Sequence, residues 1–154
     1  MKVLIAEDEY QKLRHLREFI AVNVPESEIL EARSVRSALD KLEDERPDLV
    51  LLDMSLPTFD VAPGESGGRP QGFGGAEVMR FMEFLELTAP VVVVTAYEGF
   101  EDKGKSVDLS VLEARLREDH PGTFRGIVYY SGLASDWQIP LKALVDKASG
   151  QHTL

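Results

Sequence analysis

Short apolar runs alternate along this chain with stretches in which apolar residues recur every three or four positions. Such runs are typical of buried strands, and the stretches between them are typical of amphipathic helices. The runs predict strands at Lys2–Ala6, Ile29–Ala32, Asp48–Asp53, Val91–Thr95 and, near the end of the chain, Ile127–Tyr130. A helical pattern follows each run, so the sequence predicts five strands that alternate with five helices.

Caps and prolines mark where several of the predicted helices begin. Ser34 is the predicted N-cap of the second helix, and Pro140 lies in the first turn of the last one. The third helix is predicted to run to about Leu87, and the fourth to span about Val107–Glu118. Near-continuous apolar strands that alternate with helices indicate an α/β fold, with a parallel sheet covered on both faces.

Two polar stretches interrupt this alternation. Thr58–Gly75 is rich in Gly and Pro and has no periodicity, and Tyr97–Ser106 is predicted to be a second polar loop. Both leave the carboxyl ends of predicted strands, where long loops often carry function. They are interpreted either as solvated insertions or as a lid or partner-docking surface.

The composition limits the class of protein. At 154 residues we expect a single domain over residues 1–154, with no output domain. The net charge of −10 argues against nonspecific binding to nucleic acid or to anionic membranes. The chain has no cysteine, and its first apolar run is too short for a signal peptide or a membrane span. We therefore expect a soluble cytoplasmic protein.

Oxygen-bearing side chains follow three of the predicted strands. The first strand delivers Glu7, Asp8 and Glu9, the third delivers Asp53, and the fourth ends at Thr95. Because ligands gather at the carboxyl ends of parallel strands, these groups are expected to form one site. Clustered carboxylates repel unless a cation neutralises them, and an all-oxygen cluster suits Mg²⁺ best. Taken alone, Asp53 could equally be an ordinary turn former or helix N-cap instead of a site residue.

The order of these residues resembles that of the receiver domain of two-component response regulators. The matching segments are Val3–Glu9, Pro47–Pro57 and Pro90–Ala96, and the second is the most specific. The resemblance covers nearly the whole chain through the fourth strand and weakens after it. It implies a flavodoxin-like, doubly wound sheet of five parallel strands in the order 2-1-3-4-5.

The resemblance also implies roles for the residues at the strand ends. Asp53 would be the phosphoacceptor, a carboxylate nucleophile that forms an acyl phosphate. Glu7, Asp8, Asp53 and the backbone carbonyl of Ser55 would hold Mg²⁺ against the phosphoryl oxygens. Thr95 would donate a hydrogen bond to the transferred group.

Three further residues resemble the switch of a receiver. Ala96 is small, and a bulky side chain there would crowd the phosphoryl site. Tyr129 or Tyr130 resembles the aromatic residue that changes rotamer on activation. Either tyrosine is equally interpretable as an ordinary core aromatic, and Thr95 as an ordinary strand residue.

The fifth strand departs from the family pattern. Receivers usually end it with Lys then Pro, the lysine pairing with the phosphoryl group, whereas here the strand runs into Ser131. Lys103 or Lys105, on the loop after the fourth strand, are candidates to approach the same space. His15 lies on the first helix among basic residues and is predicted to be a surface residue without a role.

A competing motif lies in the second polar stretch. Gly99–Ser106 matches the Walker A pattern of P-loop NTPases, and Leu49–Asp53 then corresponds to Walker B. Glu101 and Asp102 would place negative charge inside a loop that has to cradle phosphates. Fewer than two strand-helix units follow the motif, which further disfavours this interpretation.

The resemblance to receiver domains predicts a single-domain response regulator and not an enzyme. It would accept a phosphoryl group on Asp53 from a histidine kinase or phosphotransfer protein, with self-catalysed transfer possible, and signal through a downstream protein. The missing lysine leaves a second interpretation open, a binding module of the same fold that signals by docking without phosphorylation. The third is the P-loop NTPase.

Overall fold

Strands and helices alternate along the chain in the computed structural model, which describes residues 1–60, 74–96, 99–102, 105–132 and 134–150. In chain order the elements are β1 Lys2–Ala6, α1 Tyr10–Asn23, β2 Glu28–Ala32, α2 Val35–Glu45, β3 Leu49–Leu52, α3 Gly74–Phe84, β4 Val91–Thr95, β5 Gly99–Asp102, β6 Lys105–Asp108, α4 Leu109–Asp119, β7 Phe124–Tyr129 and α5 Gln138–Ala148.

Five of these strands form one parallel sheet in the order β2-β1-β3-β4-β7. This confirms the predicted flavodoxin-like order 2-1-3-4-5, with β7 as the fifth strand of the sheet. Apolar residues of α1 and α5 cover one face, and those of α2, α3 and α4 cover the other. The sheet is therefore doubly wound, as the right-handed crossovers of α/β folds require.

The central strands determine where the candidate site lies. Residues of β3 and β4 are buried throughout, because helices cover both sides of a central parallel strand. In β1, Val3 and Ile5 pack on the side of α1 and α5, and Leu4 and Ala6 pack on the opposite side. Parallel pairing aligns Ala6 with Leu52, so the residues that follow these two strands leave the sheet side by side.

Local signals predicted some element bounds better than others. Ser34 caps α2 as predicted, because its hydroxyl accepts a 3.0 Å hydrogen bond from the Ser37 amide. Pro140 lies in the first turn of α5 as predicted. The predicted end of the third helix at Leu87 was too late, since α3 ends at Phe84 and Glu86 adopts a left-handed φ of 56°. The fifth strand of the sheet also starts earlier than predicted, at Phe124.

The prediction that Tyr97–Ser106 is a loop was wrong. Gly99–Asp102 and Lys105–Asp108 pair as an antiparallel hairpin, and α4 starts only after it, at Leu109 rather than Val107. Each hairpin strand has four residues and pairs with its partner outside the main sheet, which is why no apolar run marked it. Of the other predicted insertion, residues 61–73 lie outside the described part of the chain.

Among the described residues, no helix is both long and apolar enough to cross a membrane.

Candidate functional site

Three carboxylates meet where β1 and β3 end. Glu7 follows β1 and Asp53 follows β3, with 1% and 5% of their surfaces exposed, and Asp8 is half-buried beside them. One oxygen of each residue lies within 4.8 Å of the others. The structure thus brings together the acids that the sequence placed at these two strand ends. They open onto a cavity of about 260 Å³, which is lined by Glu7, Asp8, Glu9, Lys12, Asp53, Ser55 and Ala96.

Backbone hydrogen bonds fix the two acidic turns against the sheet. The amide of Glu7 donates to Ala32 O and that of Asp53 donates to Ala6 O, both at 2.9 Å. The Glu7 carboxylate also accepts a 2.9 Å bond from the Glu9 amide. Glu9 in turn caps α1 by accepting from the amide of Lys12 at 2.7 Å. The acids are therefore held by the sheet and the helix cap before any ligand binds.

Ser55 lies beside the proposed phosphoacceptor. Its hydroxyl donates to both carboxylate oxygens of Asp53, at 3.3 Å each. A side-chain contact to Asp53 was not predicted from the sequence, which assigned Ser55 only a backbone carbonyl. That carbonyl as a metal ligand stays a prediction.

The end of β4 contributes a small residue to the cavity. Ala96 is exposed and lines it, whereas Thr95 is fully buried one residue earlier. The carbonyl of Thr95 accepts a 2.7 Å hydrogen bond from the amide of Tyr130, which ties this turn to the end of β7. The roles of Thr95 as hydrogen-bond donor and of Ala96 as switch residue stay predictions.

The two candidate switch tyrosines have different surroundings. Tyr129 pairs with Thr95 in the sheet and is 41% exposed. Tyr130 is buried, and its hydroxyl shares a 2.6 Å hydrogen bond with His15 Nδ1. His15 is half-buried, and the sequence did not predict its contact with Tyr130. Tyr129 is thus the more exposed of the two, and the switch role of either tyrosine stays a prediction.

Lys12 is a site residue that the sequence pattern did not single out. It is 2% exposed, its ammonium group forms an ion pair with Glu7, and Nζ lies 3.5 Å from Asp53 Oδ1. Nζ also donates a 2.6 Å hydrogen bond to Val94 O. One signal was present, because Lys12 shares the buried stripe of α1 with Leu16 and Phe19 at positions i, i+4 and i+7.

The side chains of the two lysines proposed from the sequence lie outside the described part of the structure. Lys103 lies outside the described residues, and of Lys105 only the backbone on β6 is described. Among the described side chains, Lys12 of α1 places a positive charge beside Asp53.

Burial and mutual repulsion control the ionisation of the acids. Burial raises the pKa of Glu7 to about 7, with a further contribution from Asp53, although the Lys12 ammonium group opposes the shift. Burial and the charge of Asp53 also raise the pKa of Asp8. The Lys12 ammonium group therefore offsets only part of the effect of burial and of repulsion on these two carboxyl groups. A divalent cation with oxygen ligands fits this donor set.

The hairpin contradicts the P-loop interpretation. In a P-loop the Lys-Ser pair opens a helix, whose amides bind the phosphates. Here Lys105 and Ser106 lie on strand β6, and Asp108 caps α4 by accepting a 3.0 Å hydrogen bond from the Val111 amide. The carboxylate of Asp108 thus accepts a hydrogen bond at the start of this helix, where a P-loop would bind phosphate.

The strand order defines a flavodoxin-like α/β protein, and its candidate site residues lie at the carboxyl edge of the sheet. The family model of the response regulator receiver domain matches residues 3–114 of the sequence. The chain belongs to the response regulator receiver domain family.

Two bacterial relatives agree with this assignment. The Detocs response regulatory protein DtcB of Enterobacter cloacae is 29% identical, and the match covers 92% of this chain and 95% of DtcB. Sporulation initiation phosphotransferase F of Bacillus subtilis is 31% identical over 72% of this chain and 77% of its own length.

Solved structures share the fold. The phosphorylated cyanobacterial phytochrome response regulator RcpA superposes with a TM-score of 0.66 at 21% identity, covering 99% of this chain and 96% of RcpA. The receiver domain of a Pseudomonas aeruginosa sensor histidine kinase has a TM-score of 0.62 at 15% identity, with 97% of each chain covered. A magnesium ion is coordinated in the active-site cleft of that structure.

Proposed function

We propose that this protein is a phosphorylation-dependent response regulator that accepts a phosphoryl group on Asp53. The observation that carries the proposal is the convergence of Glu7, Asp8 and Asp53 in one cavity, with a lysine ammonium group beside the phosphoacceptor. Carboxylates that served only as turn formers or caps would not need to converge.

The donor set is suited to Mg²⁺. Glu7, Asp8, Asp53 and the Ser55 carbonyl would hold the ion, which supplies positive charge opposite the phosphoryl oxygens. The chain's own residues position and orient the carboxylates. The turns after β1 and β3 fix the carboxylates, and Ser55 donates to Asp53 and so orients it for attack.

The proposed reaction transfers the phosphoryl group without net redox change. One carboxylate oxygen of Asp53 attacks the phosphorus atom of a phosphohistidine, and a new O–P bond forms. The P–N bond to the donor histidine breaks, and its electron pair leaves with the imidazole. Thr95, at the end of β4, would donate a hydrogen bond to the transferred group.

The partners follow from this chemistry and from the family. The phosphoryl donor would be a histidine kinase or a phosphotransfer protein, and the output a contact with a downstream protein. The missing fifth-strand lysine suggests the alternative, a phosphorylation-independent module. The ammonium group of the buried Lys12, 3.5 Å from Asp53 Oδ1, supports phosphorylation instead.

Acetyl phosphate tests the proposal without a known kinase. With Mg²⁺, wild-type protein is expected to gain the mass of one phosphoryl group, and Asp53→Ala to gain none. Asp44→Ala, on the exposed face of α2, is the matched control and should gain the same mass as wild type. An unmodified wild type, or a modified Asp53→Ala, would contradict the proposal, and the first result would favour the docking module.

A further inference from the structure

The cation beside Asp53 comes from an unexpected element of the fold. We propose that Lys12 of α1 replaces the lysine that receivers carry at the end of the fifth strand, so that its ammonium group pairs with the phosphoryl group on Asp53. This inference rests on the proposed function, because it needs a phosphoryl group at that position.

The position of Nζ suits this role. It lies 3.5 Å from Asp53 Oδ1, so a group attached to that carboxylate lies within its reach. The 2.6 Å hydrogen bond to Val94 O holds it at the end of β4, next to Thr95. The same ammonium group also contacts Glu7. Lys12 thus connects the ends of the three strands that form the site.

Stability alone does not explain a lysine here. Lysine is rarely buried completely, and a basic residue in the first turn of a helix opposes the helix dipole. Lys12 meets both unfavourable conditions, since it is 2% exposed and lies in the first turn of α1. Local conflicts of this kind are expected at functional sites, where a residue is retained for what it binds.

The end of the fifth strand supports the lysine instead of supplying one. Tyr130, the first residue after β7, lies with its ring centroid 5.9 Å from Lys12 Nζ. Its hydroxyl is held by His15, three residues after Lys12 on the same helix. Tyr130 therefore packs against α1 at the strand end where the family usually has a lysine.

The charges of the site favour a positively charged side chain beside Asp53. Three ionised carboxylates, one divalent cation and the Lys12 ammonium group sum to zero. Phosphorylation replaces one carboxylate charge with a group of about −1.5 to −2, so positive charge within contact distance remains necessary.

Beryllofluoride, which mimics the phosphoryl group, provides the test. In wild type labelled with ¹³C,¹⁵N-lysine and with saturating Mg²⁺, the side-chain ammonium signal of Lys12, assigned through its own side-chain carbons, is expected to shift on addition of beryllofluoride. Lys12→Met should weaken beryllofluoride binding roughly tenfold to a hundredfold, the loss of one charge-assisted hydrogen bond. Lys2→Met is the matched control, because it removes a half-exposed lysine paired with Glu45.

The outcomes separate this inference from the proposed function. Wild type that binds beryllofluoride while the Lys12 signal does not move would overturn the inference alone, as would unchanged affinity in Lys12→Met. Loss of affinity in Lys105→Met but not in Lys12→Met would assign the role to the hairpin lysine and overturn it as well. If wild type does not bind beryllofluoride, the proposed function fails and the inference fails with it.

A double variant keeps the test valid if Lys12→Met folds poorly. Tyr130→Lys in the Lys12→Met background returns a lysine to the strand end that the family uses. Recovery of beryllofluoride affinity would support an exchange of position between the two residues. If the Lys12→Met protein is unfolded, the wild-type ammonium signal decides the question alone.

Discussion

Asp8→Ala is expected to remove most Mg²⁺ binding from this protein. Lys12 is shared by Glu7 and Asp53, and Asp8 is the third carboxylate of the cluster. Magnesium keeps several waters when few carboxylates serve it, so binding by wild type should be weak and each ligand important. We expect the Kd for Mg²⁺ to rise more than roughly tenfold, which corresponds to more than about 1.4 kcal/mol.

Calorimetry or amide NMR during Mg²⁺ titration measures this effect. Asp44→Ala serves again as the control, because its carboxylate is exposed on α2 and should not change the Kd. Phosphorylation by acetyl phosphate should fall together with Mg²⁺ affinity in Asp8→Ala. Identical titrations of wild type and Asp8→Ala would show that the acidic cluster is not the metal site.

Gly74→Ala is expected to lower the free energy of unfolding by about 1 to 3 kcal/mol. A Cβ at this position would lie 2.4 Å from Leu56 O and 3.1 Å from a methyl carbon of Val35. The carbonyl belongs to the segment that follows Asp53, so it cannot move without shifting the turn that carries the site. Alanine in place of glycine in a helix is normally stabilising by about 0.5 to 1 kcal/mol, and here the sign is reversed.

Urea unfolding of Gly74→Ala and of Gly122→Ala tests this prediction. Gly122 is the matched control, because a Cβ there would meet no atom within 4 Å. We expect the control to differ from wild type by less than about 0.5 kcal/mol. If both variants unfold alike, α3 does not pack against the segment after Asp53 as closely as the structure shows.

The sheet was predictable because its signals are local. β1, β3 and β4 are apolar over nearly their whole length, and burial on both faces requires that pattern whatever the loops do. The order of the strands followed from the receiver resemblance. The acidic turns were predictable for a related reason, since carboxylates directly after such strands have to lie at one edge of the sheet.

The burial of Lys12 and the contact between His15 and Tyr130 were not predictable from local patterns. Lys12 is buried because its ammonium group meets oxygens from Glu7, Asp53 and Val94, and Val94 is 82 residues away in the sequence. The contact of His15 with Tyr130 spans 115 residues. A lysine or histidine on a helix has no pattern of its own that shows such partners, so only the packed structure separates these side chains from a solvated face.

The hairpin was missed for a different reason. β5 and β6 have four residues each and are paired with one another, outside the main sheet. Their sequences combine Gly, Lys, Glu and Asp with few apolar residues, a composition that is depleted in strands. Pairing with an adjacent strand, rather than intrinsic preference, determines this part of the structure.

Formation of an acyl phosphate on Asp53 is tested most directly by reductive trapping. Borohydride reduces an aspartyl phosphate to homoserine, and peptide mapping by mass spectrometry then identifies the modified position. After incubation with acetyl phosphate and Mg²⁺, homoserine is expected at position 53, and without either reagent none is expected. Homoserine at another aspartate, or an unreduced Asp53 in protein that has gained phosphoryl mass, would contradict the assignment of Asp53 as the phosphoacceptor.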